Sequence, residues 1–377
     1  MSTRFQAVSI ADYEEEALKV MGGDAIAFYN SGSDGEETLK ENRFSSTRYR
    51  IRPRIMRGIS HVDMTSSILG HSITFPVCVA PSAWHRFANL KGEVETAKGV
   101  TSAGVVMNLS SVATVRTEEV TSSFPDGLFF MQCYCLGNKR LQELMLREAK
   151  RQGFKAIVLS VDCSVISKRR KQFGPSMLER INSEMLPINY MQNEESSRRA
   201  EEEGPAAFLE YFMNMAHGAT PVGLDFIRWI KDTSELPVIT KGILTGKAAR
   251  EAVEHGADAV WISNHGGRQL DFSPSTLDVL TEVVDALKGT NAEIYIDSGF
   301  RSGSDVFKAL ALGARAVFLG RPILWGLAVR GSDGVRDVLD IIKEELRLCM
   351  MLSGCPDINS ITKNHVINES DYLAAKL

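Results

Sequence analysis

Eight short apolar runs, at residues 75–80, 104–109, 128–133, 156–161, 237–240, 257–262, 292–296 and 314–319, constrain this chain more than any other feature. Each is continuous rather than alternating, the pattern of parallel strands buried on both faces. Amphipathic stretches with apolar residues at three- and four-residue spacing separate them, clearest at 139–152, 245–254, 275–288 and 304–312. All intervals but one span roughly 20–35 residues, about the size of a βα unit. Eight such units predict an α/β fold of the (β/α)8 TIM barrel type. A doubly wound sheet would carry a GxGxxG after its first strand, and none occurs.

The exceptional interval, about 165–236, is a long insertion after strand 4 and contains a charged segment at 194–203. An insertion there sits at the catalytic rim, where it serves as a mobile lid or as a solvated spacer. Residues 1–70 precede the barrel. Helical patterns at 11–20 and 24–30, the second ended by Ser31-Gly32, are expected to pack against the barrel, so that 1–377 forms one domain.

Composition narrows the function. With 44% hydrophobic and 24% charged residues the chain buries a large core, which excludes disorder and coiled coils. Its 43 basic and 47 acidic residues leave no tail of one sign, so a bulk attraction to nucleic acid is not expected. No run approaches the about 18 apolar residues of a membrane span, and the N-terminus lacks the apolar core of a signal peptide. Six cysteines suit a reducing compartment. Cys133 and Cys135 have neither metal-ligand spacing nor a His-rich neighbour, so they read as buried thiols and no metal is expected.

Barrel enzymes carry their reacting groups at the carboxyl ends of the strands. The residues that end or follow the runs are Ser82, Ser110, Gln132 to Tyr134, Ser160 to Asp162, Lys241, Ser263 to His265, Asp297 and Gly320-Arg321. So many hydrogen-bonding and ionisable groups on one rim point to an active site. Glycines and two arginines after the last two runs, including Gly299, Arg301, Gly320 and Arg321, occupy the usual phosphate position of this fold. With no Walker-type loop, the ligand is a phosphorylated cofactor or substrate held in place. After the sixth run, His265 and Arg268 lie three residues apart on a loop freed by two glycines. Imidazole takes a proton near neutral pH and guanidinium grips a carboxylate through two parallel bonds. Asp162 is placed to orient the imidazole, and Lys241 to stabilise a developing anion.

These residues carry a family resemblance. Ser-Asn-His-Gly-Gly-Arg-Gln-Leu-Asp at 263–271 resembles the signature of the FMN-dependent 2-hydroxy acid oxidases and dehydrogenases. The similarity extends through Ala80-Pro81-Ser82-Ala83, Gln132-Cys133-Tyr134, Val161-Asp162, Lys241-Gly242, Gly320-Arg321-Pro322 and Ser353-Gly354-Cys355, and covers the chain except 170–220. The overall pattern is most similar to the peroxisomal glycolate oxidases.

The resemblance implies oxidation of an (S)-2-hydroxy acid to a 2-oxo acid. Dioxygen would be the acceptor and hydrogen peroxide a product; no cytochrome segment precedes the barrel, though a quinone or separate carrier needs none. It implies His265 as base with Asp162 its partner, Tyr134 on the substrate oxygen, and Arg268 and Arg169 on the carboxylate. Ser82, Ala83, Ser110, Gln132, Ser160 and Ser263 would line the FMN ring. Lys241 would face its N1/O2 edge, and Asp297, Gly299, Arg301, Gly320 and Arg321 would hold its ribityl chain and phosphate. The proton and hydride routes both stay open, as do a flavin-binding pseudoenzyme, an FMN barrel catalysing isomerisation without net redox, and a barrel binding a different phosphate. A homotetramer or homo-octamer is implied as well. Ala375-Lys376-Leu377 resembles a peroxisomal address; without it the protein would be cytoplasmic.

Three departures bear on the substrate. Phe28-Tyr29 replaces the family's usual tyrosine pair, so one hydroxyl for the substrate carboxylate is missing. Val112 stands where glycolate oxidases carry tryptophan, leaving room for a longer or aromatic substrate, and Trp84 refills part of it. Ser298 replaces a glycine, which a negative φ would tolerate.

Overall fold

Each of the eight apolar runs coincides with a strand, the fifth extended to Ile243, in the computed structural model of the chain, which describes residues 5–171, 189, 198, 202–204, 211 and 223–374. They are β1 (Val77–Val79), β2 (Val106–Leu109), β3 (Leu128–Cys133), β4 (Ile157–Ser160), β5 (Val238–Ile243), β6 (Ala259–Ile262), β7 (Glu293–Ile296) and β8 (Ala316–Leu319). Each pairs in parallel with the next, and β8 returns to β1 through Phe318 opposite Cys78, so the sheet closes into a barrel. The strands are buried almost throughout, which is why their sequences are continuously apolar. Trp261 of β6, Tyr295 of β7 and Phe318 of β8 pack together, the Trp261 and Phe318 rings 3.9 Å apart.

The helices begin where side chains cap them. Asn138, Thr245, Ser275 and Ser302 each accept a backbone N–H three residues on, starting helices Lys139–Arg151, Gly246–Glu254, Thr276–Ala286 and Gly303–Ala311. These lie within one or two residues of the sequence expectation. The sequence pattern did not reveal the helical stretch Arg321–Ser353, interrupted at Arg330 and Gly331, where Gly326 and Gly334 bring two backbones together. Nor did it reveal two small antiparallel pairs, Tyr49–Ile51 with Val366–Asn368 and Ser66–Ile68 with His71–Ile73.

Ahead of the barrel come α1 (Ile10–Val20), α2 (Gly23–Asn30) and α3 (Glu37–Phe44). Tyr13 of α1 donates to Asp337 on the helical stretch Arg321–Ser353 at 2.8 Å. Asn42 of α3 exchanges amide hydrogen bonds of 2.8 and 2.7 Å with Asn264, next to His265. Most of the 165–236 insertion, including its proposed lid role, lies outside the described residues; helix Asp225–Ser234 leads from it into β5. Among the described residues no helix is long and apolar enough to cross a membrane.

Gly299 ties α3 to the loop after β7. Its φ is +97°, and a Cβ there would lie 2.0 Å from the Asn42 carbonyl oxygen. Gly299→Ala is expected to cost at least about 1–2 kcal/mol from the positive φ alone, with the clash added. Thermal unfolding checks this: an unchanged Tm would contradict the close approach.

Candidate active site

The loops at the carboxyl ends of the strands enclose a cavity of about 1290 Å3, counted out to its open mouth. Seventeen of the nineteen residues expected at the site line it. They are Tyr134 and His265; Phe28, Val112, Arg169 and Arg268; and Ser82, Ala83, Ser110, Gln132, Ser160, Lys241, Asp297, Gly299, Arg301, Gly320 and Arg321. Asp162 and Ser263 stand immediately behind, each bonded to a lining side chain.

His265 sits at φ +59°, followed by Gly266 and Gly267 at +67° and +76°. Such a run of left-handed residues needs glycines and fixed anchors. The anchors are the Ser263 hydroxyl, which accepts the His265 N–H at 3.1 Å, and the Asn264 side-chain oxygen Oδ1, which accepts the Gly267 N–H at 3.0 Å. The Gly266 N–H goes to Ser298 Oγ at 3.0 Å, and that hydroxyl donates to Asp297 at 2.7 Å. Ser298 itself has φ +75°, not the negative value expected of a serine there, and these two bonds offset its strain.

The imidazole Nδ1 lies 3.1 Å from Asp162 Oδ2, which leaves Nε2 as the ring nitrogen not engaged by that carboxylate. Burial depresses the His265 pKa below the ordinary 6.5; Asp162 opposes this while Lys241 and Arg169 reinforce it, so the ring is neutral near pH 7. Burial alone would raise the Asp162 pKa, but His265 and Lys241 outweigh it and keep the carboxylate ionised. Lys241 is buried, donating to Ser263 Oγ at 2.9 Å with Asp297 3.4 Å away. Burial works against its charge, and Asp297 and Asp162 more than restore it. Gln132 links β2 to β4, its carbonyl oxygen accepting the Ser111 N–H at 3.1 Å and its amide donating to Ser160 at 3.1 Å.

Two guanidiniums reach across to the end of α2. Arg268 donates to the carbonyl oxygens of Phe28 and Ser31 and stacks over the Phe28 ring, 4.9 Å from its centre. Arg321 donates to the carbonyl oxygens of Tyr29 at 2.7 Å and Ser31 at 3.0 Å. The last carbonyls of a helix have no partners within it, and cations are favoured there. Phe28 therefore holds Arg268 by its ring face and its backbone in a position where a hydroxyl was expected. Trp84 packs on Phe28 at 4.7 Å and on Phe87 at 5.5 Å, filling space beside Val112. Arg169 donates to the Arg268 carbonyl oxygen at 3.0 Å and to Gln269 at 3.1 Å, which fixes the loop after β4 to the loop after β6.

Sequence reasoning missed Cys163, Ile166, Tyr29 and Leu324 in the lining. Cys163 follows Asp162 directly, so its neighbour was the available signal. Ile166, Tyr29 and Leu324 are apolar or aromatic, and nothing in the sequence separates them from core residues.

Arg301 and Arg321 tell what the cavity is built to hold. Neither has a carboxylate partner among the described residues, and Arg301 Nε has no hydrogen-bond partner at all. Burial drives their pKa values down, to about 9 and about 10, an arrangement that favours an anion between them. A Cβ on neighbouring Gly320 would meet only Ser82 Oγ, at 3.9 Å, so the backbone leaves room beside them. A phosphate monoester at that end and a polar-edged ring against Ser110, Gln132, Ser160 and Lys241 fit these residues.

The model of the FMN-dependent dehydrogenase family matches residues 17–368. The chain belongs to that family. The family's cofactor is therefore this protein's cofactor, and the two guanidiniums, without a carboxylate partner among the described residues, fit its phosphate. The chain is 39% identical to human 2-hydroxyacid oxidase 1, over 95% of this chain and 96% of that protein. It is equally identical to a peroxisomal (S)-2-hydroxyacid oxidase of Arabidopsis thaliana, over 99% of both. A mandelate oxidase variant solved with (S)-mandelic acid superposes with a TM-score of 0.82 at 32% identity, over 96% of this chain and 98% of that one.

Replacing Arg301 by Met removes one cation that the protein itself leaves unpaired. A charge-assisted hydrogen bond contributes about 1.5–3 kcal/mol, so FMN affinity is expected to fall roughly tenfold to a hundredfold. The cofactor-free protein is expected to melt no lower than wild type. Fluorescence titration and thermal unfolding check the two halves; unchanged FMN affinity would remove Arg301 from the phosphate site.

Proposed function

We propose that this protein oxidises an (S)-2-hydroxy acid to the 2-oxo acid, with dioxygen as acceptor and hydrogen peroxide as the second product. The neutral imidazole of His265, held at Nδ1 by ionised Asp162 within the cavity, carries this reading. The oxidase names of the relatives support the choice of acceptor. FMN, when bound, supplies the two-electron acceptor. His265 Nε2 takes the proton leaving the substrate, and Asp162 stabilises the imidazolium that results. Arg268 and Arg169 hold the substrate carboxylate, Tyr134 bonds the substrate oxygen, and Lys241 presents its ammonium to the cofactor ring with Ser82, Ala83, Ser110, Gln132, Ser160 and Ser263 around it. Asp297, Gly299, Arg301, Gly320 and Arg321 take the ribityl and phosphate end.

Val112 and the missing hydroxyl at Phe28 support a substrate larger than glycolate. The peroxisomal relative supports a peroxisomal location; Ala375-Lys376-Leu377 lies outside the described residues. Action as one domain, assembled into a homotetramer or homo-octamer, belongs to the same reading.

Anaerobic mixing with a panel of 2-hydroxy acids while following flavin absorbance tests this directly. Longer or aromatic acids are expected to give higher kcat/KM than glycolate; a flavin that no acid bleaches would end the assignment. His265→Ala is expected to keep FMN and bleach at least about a hundredfold more slowly.

The pH profile has a definite sign. Activity needs the unprotonated ring, and its pKa is lowered from 6.5, so the acid limb of kcat/KM is expected below pH 6.5. A limb above that value would mean that a different group is the base.

A further inference from the structure

Asp162, Cys163 and His265 bring a carboxylate, a thiol and an imidazole nitrogen together behind the cavity. Cys163 Sγ lies 3.4 Å from His265 Nδ1 and 3.2 Å from Asp162 Oδ1, and the imidazole and carboxylate are 3.1 Å apart. We infer that these three side chains form an inhibitory site for a zinc-like divalent cation. Zinc takes sulfur at about 2.3 Å and nitrogen or oxygen at about 2.0–2.2 Å in a tetrahedron, which sets ligand–ligand edges of about 3.4–3.6 Å. The three observed edges fall short of that by a few tenths of an ångström, a change that side-chain rotation supplies. Cys163, Arg169 and His265 all line the cavity, so the fourth position opens on the space that a substrate uses.

Charge decides whether an ion enters. Lys241 and Arg169 face the cluster and repel a cation. Loss of the thiol proton offsets this, since thiolate and carboxylate together cancel the two charges of the ion. In the metal-free protein burial and Asp162 keep the thiol protonated. Binding the ion therefore releases the thiol proton.

The consequence for turnover follows from the imidazole. An ion on Nδ1 displaces the proton that Nδ1 now donates to Asp162, and the neutral ring then carries that proton on Nε2. A ring in that state has no acceptor for a substrate proton, so the bound ion stops catalysis without displacing FMN. The donor set of one sulfur, one nitrogen and one oxygen suits zinc over magnesium or calcium, which prefer oxygen throughout.

The test titrates zinc into the FMN-loaded protein in a non-coordinating buffer, with calorimetry for stoichiometry and zinc K-edge absorption for the ligands. One zinc per chain is expected, with one sulfur at about 2.3 Å and the remaining ligands nitrogen or oxygen. Saturating zinc should cut turnover at least tenfold, reversed by a chelator. Cys163→Ser should bind at least tenfold more weakly, and each protein is compared with its own metal-free rate. A coordination sphere without sulfur, or equal zinc affinity in Cys163→Ser, would overturn the proposal. Because stoichiometry and ligand identity are read without turnover, failure of the 2-hydroxy acid assignment would leave this result standing or falling by itself.

Discussion

The carbonyl end of α2 and the guanidiniums of Arg268 and Arg321 form the contact on which the site depends. An eight-residue helix leaves its last carbonyls without partners, and the barrel alone leaves two arginines pointing into a cavity. Each deficiency meets the other. The carbonyls steady the guanidiniums without neutralising them, so full positive charge stays available to anions. Neutral His265, ionised Asp162 and charged Lys241 then sit in a field set by fixed groups before any ligand arrives.

That field sorts the two ends of the cavity. Toward the loops after β7 and β8, Arg301 and Arg321 offer charge that no carboxylate among the described residues bonds directly. Toward the loops after β4 and β6, Arg169 and Arg268 flank an imidazole already aimed by its own carboxylate. One end suits a resident phosphate and the other a transient carboxylate, separated by the polar side chains that end β2 to β5. At Phe28, where a hydroxyl was expected, the ring face and the backbone oxygen hold Arg268 instead.

Much of this was legible in the sequence because barrel strands buried on both faces write themselves as unbroken apolar runs. His265, Lys241 and Arg321 could be placed on the rim merely by reading what followed each run. Apolar residues at three- and four-residue spacing made several helix starts readable to within a residue or two. The helical stretch from Arg321 to Ser353 was hidden because Gly331 and Gly334 break its periodicity. Cys163 escaped because a thiol beside an aspartate looks like any small buried residue until the fold brings His265, a hundred positions away, against it. The left-handed backbone of Ser298 was also beyond reach, since its strain is relieved by Gly266 and Asp297 through bonds that no local pattern encodes.

The bridge from α2 to the barrel has a temporal side. Arg321 meets Tyr29 across 292 positions, and Arg268 meets Phe28 across 240. During synthesis the earliest helices must wait, undocked, until nearly all the strands exist. The α2 end of the cavity is therefore completed only once Arg321, just past the last barrel strand, has been synthesised.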